Sequence, residues 1–188
     1  MEFSGKKVTV VGTGISGIGA VGLLNAVGAE VVLYDGNEKL KIEDIEKKLG
    51  TYKAEIVLGE LTKELTDSSD LLVISPGVPI DSPVVKAFEA AGVPIWGEVE
   101  LAYAFDKGKV LAITGTNGKT TTTALVGQIV GAYHKDTFVV GNIGNPYTTE
   151  VLKSNKDSYT VAEISSFQLE TVHEFHPLVS AILNITPD

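Results

Sequence analysis

Cysteine is missing from all 188 residues of the chain. Disulfides, thiolate nucleophiles and cysteine-based metal sites are therefore excluded, and a reducing compartment suits such a chain. Positive charge is scarce. Fifteen Lys and Arg stand against 24 Asp and Glu, a formal net charge of -9. Sequence-independent nucleic-acid binding needs a basic surface, so no nucleic-acid partner is expected. A bound phosphate would have to be held locally, by backbone N–H groups and one or two lysines. No apolar run is long enough to span a bilayer. The opening MEFSGKKVTVVG runs straight into a strand-like segment, without a basic stretch followed by a long apolar one. Neither a leader peptide nor a membrane partner is expected, and the expected location is the cytoplasm. Internal repeats and low-complexity tracts are missing too.

Short apolar runs separated by helical stretches fill the chain. Val8–Val11, Val31–Tyr34, Leu71–Ile74 and Val93–Trp96 read as strands, with a helix-like segment running to Val27 after the first. Strand, helix, strand at this spacing predicts βαβ units and a parallel sheet. Continuous rather than alternating apolar runs fit strands covered on both faces. Glu43–Leu49 is a charged amphipathic helix with a solvated face. The pattern then restarts: strand Val110–Ile113, a glycine turn, helix Thr120–Tyr133, and strands Phe138–Val140, Thr160–Ile164 and Val179–Ile185. Two glycine-rich strand–turn–helix openings predict two α/β domains, residues 1–96 and 97–188, with Glu98–Phe105 a short helix opening the second. The second domain reads as unfinished at Asn184-Ile185-Thr186-Pro187-Asp188.

Gly12-Thr13-Gly14-Ile15-Ser16-Gly17 matches G-x-G-x-x-G between a strand and a helix, with Asp35 at the end of the next strand. The first glycine permits the tight turn, the second a close phosphate, the third helix–strand packing, and the acid accepts from a ribose or base. On this domain alone NAD is the obvious ligand, and a turn that needs glycine only for packing is the alternative. Ser75-Pro76-Gly77 ends another strand, where α/β sheets face their ligands; a plain Pro-Gly turn explains it equally.

The stretch Ile113-Thr114-Gly115-Thr116-Asn117-Gly118-Lys119-Thr120-Thr121 is more informative. Gly118-Lys119-Thr120 ends a phosphate loop, with Lys119 reaching the β- and γ-phosphates and Thr120 placed for Mg²⁺. The full pattern G-x-x-x-x-G-K-[ST] would want glycine at 113; Ile113 stands there, and Gly115 begins a shorter loop. A hydride-transfer enzyme has no use for this second phosphate cradle.

Gly115–Thr121 resembles the ATP loop of the Mur ligases and the related folylpolyglutamate synthases. Gly141-Asn142-Ile143-Gly144-Asn145-Pro146 resembles the GNIG-x-P loop of the Mur ligases. Glu163-Ile164-Ser165-Ser166-Phe167-Gln168-Leu169-Glu170 resembles the corresponding segment of the family's D-glutamate-adding branch. The resemblance covers essentially the whole chain. It implies an α/β fold: a Rossmann-like parallel-sheet UDP-binding domain, then part of a P-loop-type ATP-binding central domain. It implies a monomeric ligase that joins D-glutamate to UDP-N-acetylmuramoyl-L-alanine with ATP and Mg²⁺, through an acyl phosphate. Gly14, Ile15, Ser16, Asp35 and Gly36 would then meet the uridine end, Gly36 only through its main chain, and Ser75 and Gly77 the diphosphate and sugar. Gly115, Thr116, Asn117, Gly118, Lys119, Thr120 and Thr121 would hold ATP. Thr120 and Glu163 would bind Mg²⁺, and Lys119, Asn142 and Glu163 would serve catalysis. Asn142 would touch the substrate near the acyl centre, while Ser165 and Gln168 would position its alanyl carboxylate. Phe167 and Leu169 are expected in the core. A further metal-binding histidine, a carbamylated lysine and a D-glutamate domain of this family have no counterpart here, so the chain is expected to bind the UDP compound without turnover. An NAD-dependent oxidoreductase and another ligase of the superfamily are the alternatives.

Overall fold

The computed structural model describes residues 2–186. Pro187 and Asp188, the last two positions of the closing motif, lie outside the described residues. Two sheets form, each with parallel strands only. The first has the order β3-β2-β1-β4-β5, from β1 (Lys7–Val11), β2 (Glu30–Asp35), β3 (Glu55–Leu58), β4 (Leu71–Ile74) and β5 (Ile95–Gly97). The second has the order β7-β8-β6-β9, from β6 (Lys109–Thr114), β7 (Thr137–Gly141), β8 (Tyr159–Glu163) and β9 (Val179–Ile182). Strand β1 is central in the first sheet, with Val10 opposite Leu33 on one side and Val73 on the other. Its β-branched run is buried on both faces, as a doubly covered parallel strand requires.

Helices α1 (Ile15–Ala26), α2 (Ile42–Leu49), α3 (Lys63–Ser68) and α4 (Pro83–Ala90) belong to the first half. The second half adds α5 (Glu98–Tyr103), α6 (Lys119–Tyr133), α7 (Tyr147–Glu150) and α8 (Ser166–Leu169). Helix α1 is apolar nearly all round because it is packed nearly all round. Ala20, Val21, Leu23 and Leu24 are buried in a core shared with β1 and β2. That core continues through Val99, Leu101 and Tyr147 to Ala112, Val140 and Ala162 of the second sheet, so both sheets share one apolar interior. The opposite face of the first sheet packs Leu72, Ile74, Val85 and Phe88 into a second cluster beneath α4.

The sequence reading placed most strands within a residue or two. It missed β3, α3, α4 and α7, none longer than eight residues and so too short to show a repeated pattern. It also ran the last strand too far: pairing stops at Ile182, because the backbone beyond is spent on the second glycine loop.

Candidate functional site

The first glycine loop is shaped by the chain itself at two of its three glycines. Gly12 has φ +103°, and a Cβ there would lie 2.8 Å from Ser75 Oγ. A Cβ on Gly17 would overlap the carbonyl oxygen of Gly12. Gly14 differs. Its φ is -78° and a Cβ would meet nothing within 4 Å. Gly77 is likewise open, and Gly36 has only the Tyr34 hydroxyl in reach, at 3.6 Å. Asp35 closes the loop from behind: Oδ2 accepts from the Thr13 hydroxyl (3.0 Å) and N–H (3.3 Å), and Oδ1 from the N–H of Asn37 (3.1 Å). This pinning of the loop was not anticipated from sequence. Ile15 is 79% exposed and lines, with Gly14, a groove of about 560 Å³ beside the Asn145–Pro146 turn.

The second loop links β6 to α6. Gly118 caps the helix with φ +84°, and Gly115, at φ +138°, passes so close to Asn184 that a Cβ would sit 3.1 Å from its backbone. The Lys119 ammonium donates to the carbonyls of Gly115 (2.7 Å) and Thr116 (3.1 Å), lying over its own loop. Asn184 clamps the loop from the end of β9. Its Oδ1 accepts from the N–H of Asn117 (2.8 Å), and its Nδ2 donates to the carbonyl of Asn117 (2.9 Å). The hydroxyl of Thr116 accepts from the N–H of Thr186 (3.1 Å). Asn184 had no role in the sequence reading. Asn184→Ala removes two hydrogen bonds and is expected to lower unfolding stability by about 1–3 kcal/mol, measured by urea denaturation.

Glu163 ends β8 and is buried. Its Oε1 accepts from the Thr120 hydroxyl at 3.4 Å, while Oε2 is buried and has no hydrogen-bond partner among the described residues. It does not cap the following helix; Ser165 does. The Ser165 hydroxyl accepts from the N–H of Gln168 (3.3 Å), and Gln168 Oε1 accepts from the N–H of Ser165 (2.9 Å), a reciprocal capping box. These two expected substrate contacts thus bond to each other. Lys119, Asn142 and Ser165 meet around one cavity of about 420 Å³. Ser75, Gly77 and Gln168 meet around another of about 520 Å³ that runs between the two sheets' loops. Phe167 corrects the expectation of a core residue: it is 67% exposed and lines both cavities, and Leu169 is 38% exposed beside it. The buried face of the one-turn helix α8 is given to Gln168, which leaves its neighbours outside.

Glu98, also missed, is buried at the start of α5. Burial pushes its carboxyl above the ordinary glutamate range. Polar groups of Ser16, Thr148 and Tyr147 nearby pull it back, the Thr148 hydroxyl being the one that donates to it, at 3.4 Å. The net shift is upward, so the folded chain holds this proton more tightly than the unfolded chain. The resulting stability is full below the unfolded glutamate value and is lost as pH rises through the raised one. Glu98→Gln removes this loss, so its melting midpoint relative to the parent chain should climb as pH rises from about 4.5. Melts at intervals across that range check the sign.

Two family models match the chain. One, described as Mur ligase MurD-like, N-terminal domain, matches residues 6–97, and the other, Mur ligase middle domain, matches residues 113–188. The chain belongs to the Mur ligase family. Among curated relatives, this Mur ligase chain is 71% identical over 188 residues to the UDP-N-acetylmuramoylalanine–D-glutamate ligase of Lachnospira eligens. It is 60% identical to the same-named protein of Lachnoclostridium phytofermentans. Each alignment covers 100% of this chain and 42% of the relative. In fold, the Mur ligase chain is similar to the crystal structure of a UDP-N-acetylmuramate:L-alanyl-gamma-D-glutamyl-meso-diaminopimelate ligase from Neisseria meningitides. There the TM-score is 0.59 at 18% identity, covering 98% of this chain and 62% of that one. A murein peptide ligase from Psychrobacter arcticus gives 0.55 at 18% identity, covering 98% and 44%. No helix of the described residues is long and apolar enough to cross a membrane.

Proposed function

We propose that this chain carries the UDP-substrate domain (residues 1–96) and part of the ATP-binding domain (residues 97–188) of an ATP-dependent ligase. The proposed reaction adds D-glutamate to UDP-N-acetylmuramoyl-L-alanine in peptidoglycan precursor synthesis, as a monomer in the cytoplasm. The observation that carries the reading is the meeting of Lys119, Thr120, Asn142 and Glu163 at one end of the second sheet, beside the helix-opening loop. The 71% identity to a relative of that name supports the choice of substrates.

The residues present fit a hard cation. Glu163 Oε2 is a buried oxygen without a donor among the described residues, and the Thr120 hydroxyl lies beside its twin oxygen. Oxygen ligands of this kind, completed by phosphate and water, suit Mg²⁺. Bound there, Mg²⁺ would neutralise phosphate charge and ease the approach of an anionic carboxylate. The chain's own groups do the rest. The N–H groups of Asn117 to Lys119 and the start of α6 favour phosphate oxygens. Lys119 trades its two carbonyl partners for phosphate oxygens and stabilises charge during transfer. Asn142, held by its N–H on the Glu163 carbonyl (3.1 Å), presents its amide to the same cavity. The UDP end is gripped by the first glycine loop with Asp35, Ser75 and Gly77, so the acyl end is delivered by positioning.

Calorimetric titration with UDP-N-acetylmuramoyl-L-alanine, with NAD in a parallel run, tests this. Quenching of the sole tryptophan, Trp96, gives a second signal. Binding of the UDP compound alone supports the proposal, and binding of NAD instead sinks it. Gly14→Ala sharpens the test. The fold has room for the methyl group, so stability should move by less than about 0.5 kcal/mol. Affinity for the UDP compound should fall, because that open face is where the phosphates approach.

A further inference from the structure

The segment between α8 and β9 forms neither helix nor strand, so its N–H groups have to find acceptors elsewhere. Three consecutive ones find the same group. The carboxylate of Glu100, on α5 and only 1% exposed, accepts from the N–H of His173 (Oε2, 2.8 Å), Glu174 (Oε1, 2.8 Å) and Phe175 (Oε2, 3.2 Å). Successive N–H groups turned toward one anion make a concave nest, and here the chain supplies the anion itself. An apolar side chain would fill the same space without the desolvation that a buried carboxylate entails. What the carboxylate adds is direction, since three bonds to a charged group fix where the segment lies and not only that it packs.

The nest is one of several ties across the same seam. The His173 ring donates from Nε2 to the carbonyl of Ile95 on β5 (2.9 Å). The Tyr103 hydroxyl donates to the carbonyl of His176 (3.0 Å), and its ring meets that of Phe175 edge-on at 5.1 Å. The N–H of Gly97 donates to the carbonyl of Thr171 (3.5 Å), and a Cβ on Gly97 would overlap the Thr171 hydroxyl. Each side of this seam leads into a wall of the cavity of about 520 Å³. On one side β5 pairs with β4, Gly97 opposite Ile74, and β4 runs on into Ser75 and Gly77. On the other side Thr171 stands just past α8, which carries Phe167 and Gln168. All six of these residues outside the strand pairing, from Ser75 to Thr171, line that cavity. The seam therefore joins the two walls.

We propose that Glu100 is a positioning residue of the substrate cleft. By holding residues 173–175 it sets the distance from α8 to the Ser75–Gly77 turn, so that a UDP-sugar gripped at one end by the first glycine loop meets Gln168 and Phe167 at the other. This role rests on the substrate reading given above. Glu100 does not line the cavity and acts only through the backbone it holds. UDP alone, which reaches the glycine loop but not α8, should not sense it.

Affinities for UDP and for UDP-N-acetylmuramoyl-L-alanine, measured by calorimetry on this chain, are compared among the parent, Glu100→Gln, Tyr103→Phe and Thr9→Val. Glu100→Gln keeps the size and one acceptor oxygen but turns an NH₂ toward N–H donors. The expected result is faster amide exchange at residues 173–175, UDP affinity within about twofold of the parent, and an advantage of the UDP-sugar over UDP that shrinks by about tenfold. Tyr103→Phe, which releases only the His176 carbonyl, should shrink that advantage by about threefold. Thr9→Val breaks a buried hydroxyl pair with Ser69 (2.8 Å) elsewhere in the first sheet; it should lower the melting midpoint and leave the advantage unchanged. An advantage kept in Glu100→Gln overturns the proposal, whether both affinities hold or both fall together as a merely structural role would have it. If Glu100→Gln does not fold, Tyr103→Phe decides in the same way. A parent chain that binds the UDP-sugar no better than UDP would instead defeat the functional reading of α8, and this role with it.

Discussion

Replacing Lys119 with alanine is expected to weaken ATP binding by about 10- to 100-fold while leaving the fold intact. The ammonium lies 2.7 Å from the Gly115 carbonyl and 3.1 Å from that of Thr116, so it is already poised over the loop that would cradle the phosphates. A hydrogen bond to a charged partner is worth about 1.5–3 kcal/mol net, and each 1.4 kcal/mol is a factor of about ten. In an acidic chain with net charge -9, no general field compensates for the lost cation. Lys119→Arg should not restore affinity, because a planar fork cannot occupy the compact space of an ammonium held by two carbonyls of its own loop. Calorimetry with ATP and Mg²⁺ decides the matter. Undiminished binding in Lys119→Ala would mean that this loop does not hold phosphate through its lysine.

Gly141→Ala should be the most damaging single methyl in the second half. Gly141 ends β7 with φ +99°, and a Cβ would overlap the carbonyl oxygen of Glu163 on the neighbouring strand. Two penalties combine. A side chain in this left-handed region costs roughly 1–2 kcal/mol, and forcing a methyl against backbone adds roughly 1–3 kcal/mol. Their sum, about 2–5 kcal/mol, corresponds to a fall of roughly 4–20 °C in melting midpoint for a chain of this size. The same displacement moves the N–H of Asn142 away from the Glu163 carbonyl, so ATP affinity should fall together with stability. Gly14→Ala makes the opposite case, with ligand lost and fold kept. A melting midpoint unchanged in Gly141→Ala would contradict this account of the turn.

Much of this was legible in the chain because the strongest signals are local. A β-branched run followed at once by Gly12 or Gly115 announces a strand, a turn and a helix within a dozen residues. Lys119 and Thr120 were legible for the same reason, whereas Glu163 stood out only through the family resemblance of its segment. What escaped depends on distant partners. Glu98 reads as one more acid in a short helix until Ser16 and Thr148 are brought to it. Asn184 reads as part of an apolar strand because Leu183 and Ile185 flank it, yet its side chain belongs to the loop at Asn117. Phe167 is expected in the core, but in this one-turn helix the buried position is Gln168. Asp35 was expected to meet a ligand, and the fold gives it a second duty, holding Thr13.

The order β7-β8-β6-β9 has a kinetic corollary. Strand β8 follows both its neighbours in sequence yet lies between them, so β6 and β7 share no ladder bonds and are joined only when residues 159–163 slot into the gap. Such a late, non-local insertion slows folding relative to pairing of chain neighbours. Glu163 rides on the inserted strand, so the carboxylate reaches Thr120 only at that step. Nucleotide with its cation would therefore recognise the finished sheet and not its precursors, and its presence would pull the last insertion forward by mass action.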